Sequence, residues 1–207
     1  MTLRALSFDV QGTITDARFG DRFWREVLPL RYAEKNGLTV DAARAELAAL
    51  FKEIGPYDIR YYSVDHWCDV LGFTFVDVVP ELGAPQRYPE MIALLDELAP
   101  RVRLIATSST THGFLSLELG AAAGRFSRVY SSIDDFGIAG KPPELYSRIA
   151  KEEGVDPSEL LHIGDDPVMD VENARKAGCA AFFFDKKEDR ALVVDRLRTL
   201  LVRVLSH

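Results

Sequence analysis

The chain has 207 residues, of which 47% are hydrophobic and 28% are charged. This composition is typical of a globular protein rather than a disordered one, and the length suffices for one ample core with a smaller insertion. The formal net charge of -7 argues against a nucleic-acid partner, because a phosphate backbone requires a basic surface. It does not exclude a small phosphorylated molecule, since a local site can hold one against the overall field.

No segment reaches the roughly 20 apolar residues that span a bilayer, and Asp9 interrupts the apolar run that a signal peptide would need. The two cysteines, Cys68 and Cys179, form neither a C-x-x-C pair nor a disulfide framework, which is typical of a reducing compartment. We therefore expect a cytoplasmic protein with no membrane association. No motif indicates a particular oligomeric state.

The predicted elements begin with a buried parallel strand, LRALSFD, at residues 3–9, because a turn closes this short apolar run. Three stretches with helical spacing of apolar residues follow, at 21–37, 39–56 and 61–73. A glycine marks the end of each, at Gly37, Gly55 and Gly72, as is common at helix C-termini.

From Pro89 onward, helices and strands alternate. The helix PEMIALLDELA (89–99) precedes the strand VRLIATSS (102–109), and another helix precedes the short strand RVYSS (128–132). The helix PPELYSRIAKEEG (142–154), the capping sequence DPSE (156–159), the strand LLHIGDD (160–166) and the helix PVMDVENARKAG (167–178) follow. AAFFFD (180–185) is predicted as a last buried strand, and an amphipathic helix at about 190–204 closes the chain.

This alternation predicts an α/β fold, a doubly wound parallel sheet with right-handed crossovers and any ligand beyond the carboxyl ends of the strands. The helical block stands between the first strand and the second βα unit. We therefore predict a core domain formed by residues 1–15 and 87–207, and an inserted α-helical cap domain formed by residues 16–86.

Polar side chains follow the predicted strands at one edge of the sheet. Strand ends supply carboxylates and hydroxyls there, and a lysine lies just before a later helix. The residues concerned are Asp9, Thr107, Ser108, Lys141, Asp165, Asp166 and Asp170.

The motifs that contain these residues resemble those of the haloacid dehalogenase (HAD) superfamily. FDVQGTITD (8–16) is similar to the first motif, which is usually D-x-D-G-T in phosphatases, and LIATSS (104–109) is similar to the second. GKPPELY (140–146) resembles the lysine motif, and HIGDDPVMDVENARKAG (162–178) resembles the acidic motif G-D-x-x-x-x-D and its helix. The resemblance covers nearly the whole chain, and the order and spacing of the motifs make it specific.

The resemblance implies a magnesium-dependent hydrolase with a Rossmann-like core, acting on a small phosphorylated substrate. Asp9 would be the nucleophile that forms an aspartyl-phosphate. Thr107 and Lys141 would hold the phosphoryl oxygens, with Ser108 as a further contact. A hard cation would relieve the repulsion between the carboxylates. The implied Mg²⁺ ligands are Asp9, the backbone carbonyl of Gln11, Asp165 and Asp170.

Several of these residues have a structural alternative. Asp166 precedes a proline and is expected to be a helix N-cap rather than a metal ligand. Asp170 lies in the first turn of that helix, where a negative charge is favourable, so we expect it to support the metal site mainly through its neighbours. Ser108 suits a local turn as well as a phosphate contact. His162, inside an apolar strand, is expected to be a hydrogen-bonded core residue.

Gln11 departs from the family pattern, in which an Asp at this position protonates the leaving oxygen and then activates water. An amide has no proton to exchange near neutral pH, and general acid–base catalysis is typically worth about 10² to 10⁴ in rate. We expect reduced or unusual hydrolysis, with a preference for acyl or aryl phosphates or with an acid from the cap. His66 is the candidate acid and substrate contact. It lies in YDIRYYSVDHW (57–67), whose aromatic residues could instead pack between cap helices.

Two other interpretations remain open at this point. One is a catalytically impaired relative that binds a phosphorylated ligand or a partner protein. The other is a dehalogenase-like hydrolase, although dehalogenases of the family tend to lack the acidic motif, which this chain keeps as GDDPVMD (164–170). Phosphonate-cleaving members use a cap lysine, whereas Lys35 and Lys52 here lie in polar helix-face patterns.

Overall fold

A computed structural model describes residues 3–205. Within that range, five parallel strands form one sheet in the order β3-β2-β1-β4-β5. The strands are β1 (Ala5–Phe8), β2 (Arg103–Ser108), β3 (Arg128–Ser131), β4 (Leu160–Gly164) and β5 (Ala180–Phe183). This confirms the predicted doubly wound sheet, whose strand order reverses beside β1.

The central strand β1 is apolar on both faces except for Ser7, and it is buried throughout. Leu6 pairs with Leu104 of β2 on one side and with Leu161 of β4 on the other. Because the three strands are parallel and in register, their carboxyl ends meet at one edge of the sheet. The segments that start at Asp9 and Asp165 therefore lie side by side.

The chain between β1 and β2 is largely helical, as predicted for residues 16–86. We call residues 16–86 the helical insert. Its helices α1 (Arg18–Arg22) and α2 (Leu28–Asn36) are joined by a π-helical turn at Phe23–Val27, and α3 (Val40–Ile54), α4 (Val64–Leu71) and α5 (Phe75–Leu82) follow. These helices pack around a second hydrophobic cluster, which includes Phe23, Leu47, Trp67 and Val78 of the insert and also Phe114 of the core segment that follows β2.

The helix α5 was not predicted, because Pro80 interrupts its pattern of helix-forming residues. Its N-terminus is stabilised by Asp77, whose Oδ2 accepts hydrogen bonds from the Thr74 N–H and hydroxyl, each at 2.7 Å. Val78 and Leu82, four residues apart, bury one face. Capping and burial together outweigh the hydrogen bond that the proline cannot make.

In the described part of the chain, five further helices flank the sheet. They are α6 (Pro89–Leu98), α7 (His112–Leu119), α8 (Pro143–Glu153), α9 (Asn173–Lys176) and α10 (Arg190–Leu205). Met91 of α6 and Leu197 of α10 pack on one face of the sheet, and Ile149 of α8 and Ala174 of α9 pack on the other. The DPSE sequence caps only a short 3₁₀ turn at Pro157–Glu159.

The last strand is not buried, contrary to the prediction for AAFFFD. β5 pairs with β4 alone and is an edge strand, so its residues are partly exposed. Phe183 is 38% exposed, whereas Phe184, just after the strand, is buried in the core. Apolar composition alone does not distinguish an edge strand from a central one.

Two adjacent linkers join the helical insert to the sheet. Thr15 and Arg87 form an antiparallel bridge. The Asp16 N–H donates to the Gln86 carbonyl at 2.8 Å, and the Tyr88 N–H donates to the Ile14 carbonyl at 2.9 Å. The chain thus leaves and returns at the same point, close to the edge that follows β1. Among residues 3–205, no helix is both long enough and apolar enough to cross a membrane.

Candidate active site

Asp9 lies directly after β1, with its backbone N–H bonded to the Ile163 carbonyl of β4 at 2.8 Å. Its side chain is buried, so an ionised carboxylate requires a charged partner there. Lys141 provides one, since its Nζ donates to Asp9 Oδ1. Burial raises the pKa of Asp9 well above its usual range, and the nearby Lys141 offsets this effect only in part.

Lys141 lies before the first turn of α8 and is almost fully buried. Its Nζ also donates to Asp170 Oδ1 at 2.6 Å, and its carbonyl accepts a hydrogen bond from the Asn173 amide at 3.0 Å. Burial by itself lowers the pKa of the ammonium group, but Asp170 and Asp9 together raise it well above its ordinary value. Lys141 is therefore a fixed positive charge between two carboxylates.

Asp170 lies in the π-helical turn Pro167–Glu172, which leads into α9. Its Oδ1 accepts from Lys141 and from His162 Nε2 at 3.1 Å, and its Oδ2 accepts from the Asp166 N–H at 2.9 Å. Burial opposes ionisation, yet the charge of Lys141 and the hydrogen bond from His162 hold the pKa of Asp170 below its usual range. Asp166 is the N-cap, as predicted, because its Oδ1 accepts from two backbone N–H groups at 2.9 and 2.7 Å.

Three carboxylates gather at this edge. Asp9, Asp165 and Asp170 each offer an oxygen within 4.8 Å of the other two. Gly12 permits this arrangement, because it adopts a φ of 80° and a Cβ there would collide with the Asp165 carboxylate. The Lys186 Nζ donates to Asp165 Oδ2 at 2.6 Å from the loop after β5, a contact that the sequence did not predict.

The donor set at this edge suits a hard divalent cation. Three carboxylates supply the oxygen ligands that Mg²⁺ prefers. The Gln11 carbonyl accepts no hydrogen bond from any residue between 3 and 205, so it is available as a further oxygen donor. The residues present therefore fit the Mg²⁺ that the motifs imply.

The Thr107 hydroxyl at the end of β2 belongs to a buried hydrogen-bonded chain. Thr107 is fully buried, and its Oγ1 is 2.9 Å from Ser7 Oγ, so its contact with a phosphoryl oxygen stays a prediction. The Ser7 hydroxyl in turn lies 2.8 Å from His162 Nδ1. His162 thus has a partner on each ring nitrogen and is a buried core residue, as predicted.

A cavity of about 280 Å³ opens between the helical insert and the carboxyl edge of the sheet. We call it the aromatic cavity. The core contributes polar residues to it and the insert contributes aromatic ones. Its lining residues are Gln11, Ser108, Ser109 and Thr110 from the core, and Trp24, Phe51, Tyr61 and Tyr62 from the insert.

A larger cleft, of about 360 Å³, lies next to the linkers and is lined in part by Asp16 and Gln86. Its charged residues already neutralise one another. The ion pairs are Arg18–Asp16, Arg22–Glu26 and Arg25–Asp21. The cleft therefore lacks free charges, and it is not the place where the sequence motifs converge.

A family model described as a haloacid dehalogenase-like hydrolase matches residues 3–178 of this chain. The chain belongs to the HAD-like hydrolases. The match includes all four motifs, and it agrees with the sheet order and with the carboxylates gathered at its edge.

Relatives of this HAD hydrolase include enzymes named for phosphorylated substrates. The GMP/IMP nucleotidase YrfG of Escherichia coli (strain K12) is 24% identical over 161 residues, which are 76% of this chain and 72% of that protein. The phosphoserine phosphatase of Thermus thermophilus is 36% identical over 104 residues, which are 48% of this chain and 41% of that protein. A HAD phosphatase from Thermococcus onnurineus has the same fold, with a TM-score of 0.76, 23% identity and coverage of 96% of this chain and 98% of that one.

One buried acid of the hydrolase, Glu118, was not predicted from the sequence. Glu118 of α7 is fully buried, and burial raises its pKa to about 8, although the neighbouring Gln11 amide counteracts this in part. Neither carboxyl oxygen has a hydrogen bond of normal geometry within the described chain. The helical spacing contained a signal, because Glu118 shares the buried face of α7 with Phe114 and Leu115.

Gln11 is held between the core and the helical insert. Besides Glu118 on one side, it packs against the helix α1, where a Cβ at Gly20 would collide with the Gln11 amide. His66, the predicted substitute acid, lies on α4 with its ring 5.6 Å from that of Trp67. It is absent from the lining of the aromatic cavity, so its role as an acid stays a prediction.

Proposed function

We propose that this hydrolase is a Mg²⁺-dependent phosphohydrolase that transfers a phosphoryl group from a small phosphorylated metabolite to Asp9 and then to water. The proposal rests chiefly on one observation: Asp9 meets Lys141, Asp165 and Asp170 at the carboxyl edge of the sheet. The names of its relatives, a nucleotidase and a phosphatase, support a small phosphorylated substrate.

In the first step, an oxygen of the Asp9 carboxylate forms a bond to phosphorus while the bond from phosphorus to the leaving oxygen breaks. The leaving oxygen departs with the bonding electrons. Lys141 stabilises the developing negative charge on the phosphoryl oxygens, and Thr107 and Ser108 are proposed to contact them. Bound Mg²⁺, held by Asp9, Asp165, Asp170 and the Gln11 carbonyl, would neutralise phosphoryl charge.

In the second step, water attacks the phosphorus of the aspartyl-phosphate, and the bond from phosphorus to the Asp9 oxygen breaks. Phosphate is released and the Asp9 carboxylate is regenerated. Gln11 orients groups by hydrogen bonding but can neither protonate the leaving oxygen nor deprotonate this water. We therefore propose that hydrolysis of unactivated esters is slow in this enzyme.

The domain division belongs to the same proposal. Residues 16–86 act as a cap over the substrate, and residues 1–15 and 87–207 form the catalytic core. The paired linkers at Thr15 and Arg87 and a second hydrophobic cluster, formed mostly by the insert, support this division. The two cysteines are free and buried, which supports a reducing, cytoplasmic location.

The first test replaces the nucleophile. In Asp9→Asn, we expect phosphate release from 4-nitrophenyl phosphate and acetyl phosphate to fall at least about 10³-fold, because the amide cannot attack phosphorus. Removal of Mg²⁺ by a chelator should have a similar effect on the wild type. Asp41→Asn, at an exposed position on α3, is the matched control and should keep full activity.

Turnover that survives in Asp9→Asn would contradict the assigned nucleophile. If the wild type releases no phosphate from either compound yet binds inorganic phosphate tightly, the chain is instead an impaired relative that binds phosphorylated ligands.

The second test restores the missing acid. Gln11→Asp should raise the turnover of an alkyl phosphate by about 10²-fold or more and that of an aryl phosphate much less, because only the alkyl oxygen needs a proton to leave. The new carboxyl group would lie next to the buried Glu118 and could be repelled by it. The double variant Gln11→Asp, Glu118→Gln removes this repulsion, so it shows the effect of the new acid alone. Equal changes for both esters in both variants would show that Gln11 has a dedicated role.

A further inference from the structure

Two residues that line the aromatic cavity follow residues of the proposed phosphoryl site closely in the chain. Gln11 lies two residues after Asp9, and Ser108 directly follows Thr107. Both line the cavity. From the insert, Tyr62 approaches the loop before Lys141, where a Cβ at Gly140 would lie 3.2 Å from the Tyr62 hydroxyl oxygen. We therefore expect a group attached to a phosphoryl at Asp9 to extend toward this cavity.

The insert lines the cavity with aromatic rings set nearly edge-on to one another. Phe51 and Tyr61 have centroids 5.3 Å apart and planes at 75°, and Trp24 and Phe51 are 5.9 Å apart at 74°. All four rings that line the cavity remain partly exposed, although large apolar side chains are usually buried. Aromatic faces and edges left open in a cleft are well suited to another planar ring.

Among the described residues, none that lines the cavity is charged. A substrate with an ammonium or carboxylate next to its ester oxygen, such as an amino-acid phosphate, would find no charged partner among these residues. The available polar groups are hydroxyls and one amide. Neither the Tyr61 nor the Tyr62 hydroxyl has a hydrogen-bond partner among residues 3–205, so both are available to a neutral ligand. A volume of about 280 Å³ lies just below the range of about 300 to 1,000 Å³ for pockets that hold drug-sized ligands.

The chemistry at Gln11 restricts the leaving group independently of the cavity. Without an acid at this position, the leaving oxygen must depart unprotonated. A phenol has a pKa of about 10, as tyrosine does, against about 16 for water. A phenolic oxygen is therefore the far better leaving group, and it is also the oxygen that an aromatic ring in the cavity would carry.

We infer that the substrate of this hydrolase is a phosphate monoester of a phenolic oxygen, with its neutral aromatic ring in the cavity formed by Trp24, Phe51, Tyr61 and Tyr62. This inference rests on the proposed phosphohydrolase function and adds the substrate class. Asp9 displaces an aryl oxide, which takes a proton from solvent, and water then releases phosphate from Asp9. The net reaction converts an aryl phosphate and water into a phenol and phosphate.

Four compounds separate the ring from the leaving group. Phenyl phosphate has both a ring and a good leaving oxygen, benzyl phosphate has the ring with an alkyl oxygen, ethyl phosphate has neither, and acetyl phosphate has only the good leaving group. With Mg²⁺ present, we expect phenyl phosphate to exceed benzyl phosphate at least about 100-fold in kcat. We also expect KM for acetyl phosphate to exceed that for phenyl phosphate at least about tenfold.

Binding is measured without turnover by calorimetry with phenylphosphonate and methylphosphonate. Phenylphosphonate should bind the wild type at least about tenfold more tightly. Tyr61→Leu and Tyr62→Leu should each reduce this ratio at least threefold, whereas Tyr57→Leu, in the same loop but 97% exposed and outside the cavity, should leave it unchanged. Two variants are used so that a folding defect in one does not decide the result.

The outcomes distinguish this inference from the function on which it rests. No phosphate release from acetyl or phenyl phosphate would overturn the phosphohydrolase function itself. Release with equal affinity for the two phosphonates would overturn only the assignment of the ring to the cavity. Inosine or guanosine monophosphate hydrolysed faster than phenyl phosphate would overturn the phenolic leaving group in favour of an alkyl one.

Discussion

Near the nucleophile Asp9, the side chain at position 11 cannot titrate, whereas a neighbouring buried carboxyl group can. Position 11 carries an amide where a titrating group is expected, and a carboxyl group is buried next to it at Glu118 of α7. Burial makes the protonated form of Glu118 the stable one in the folded protein near neutral pH. The folded state therefore retains a proton that the unfolded chain releases.

This proton makes stability depend on pH. The pKa of Glu118 is about 8 in the folded protein against an ordinary value of 4.5. Between pH 4.5 and pH 8, the folded state therefore binds more protons than the unfolded chain. The stability that the Glu118 proton contributes is fully present below pH 4.5 and is lost as the pH rises through 8. Compared with Glu118→Gln, the wild type should lose about 4 kcal/mol of unfolding free energy between pH 4.5 and 8. Urea denaturation across this range measures the difference.

Glu152→Gln, on the exposed face of α8, is the control and should follow the wild type at every pH. If Glu118→Gln also follows the wild type, the carboxyl group is hydrated or ionised in the folded protein.

At the level of the sheet, three neighbouring strands are joined by side chains as well as by backbone hydrogen bonds. Thr107 of β2, Ser7 of β1 and His162 of β4 form a buried chain of hydroxyl and imidazole groups that ends on Asp170. Burial lowers the pKa of His162, so the neutral ring donates from Nε2 to Asp170 and accepts at Nδ1 from Ser7. The chain connects the end of β2 to the carboxylates after β4.

Replacement of His162 by Phe should destabilise the protein by about 2 kcal/mol, because it leaves Ser7 and Asp170 each without one buried partner. The free energy of unfolding in urea measures the loss. His112→Phe removes a histidine from an exposed pair with Asp135 and should cost less than about 1 kcal/mol. Equal losses in the two variants would show that the buried chain adds nothing to stability.

Across the whole molecule, the two cysteines lie in different hydrophobic clusters. Cys68 of α4 is buried in the cluster of the helical insert, and Cys179 is buried beside α8 and β5. Burial raises the pKa of Cys68 to about 12 and that of Cys179 to about 11. Neither thiol is a nucleophile in the native state, so each reacts only when its cluster opens.

Thiol labelling therefore tests the proposed division into cap and core. In low urea, we expect Cys68 in the Cys179→Ala variant to be labelled faster than Cys179 in the Cys68→Ala variant, because the cluster around Cys68 is formed mostly by the insert, which two linkers and Phe114 of α7 join to the core. Labelling rates by a chromogenic disulfide reagent measure this. Identical rates that track global unfolding would mean that the chain opens as one cooperative unit.

The sequence by itself determined the order of the elements and the residues at the strand ends. Apolar runs predicted β1 and β4, glycines predicted the ends of α2, α3 and α4, and the spacing of the motifs brought Asp9, Lys141 and Asp170 to one edge. These features depend on local pattern and on the rule that parallel strands end together. The N-cap role of Asp166 was also predictable, because Pro167 follows it, and its Oδ1 accepts from the N–H groups of Val168 and Met169.

Only the tertiary structure decided what surrounds those residues. It set β5 at the edge of the sheet, held Thr107 on Ser7 inside the sheet, placed Glu118 beside Gln11, and brought Lys186 to Asp165. It also joined the rings of the insert to Gln11 and Ser108 in one cavity. Each of these contacts links segments far apart in the chain. Whether a side chain contacts another residue, solvent or the substrate therefore depends on tertiary packing, which cannot be predicted from the local sequence.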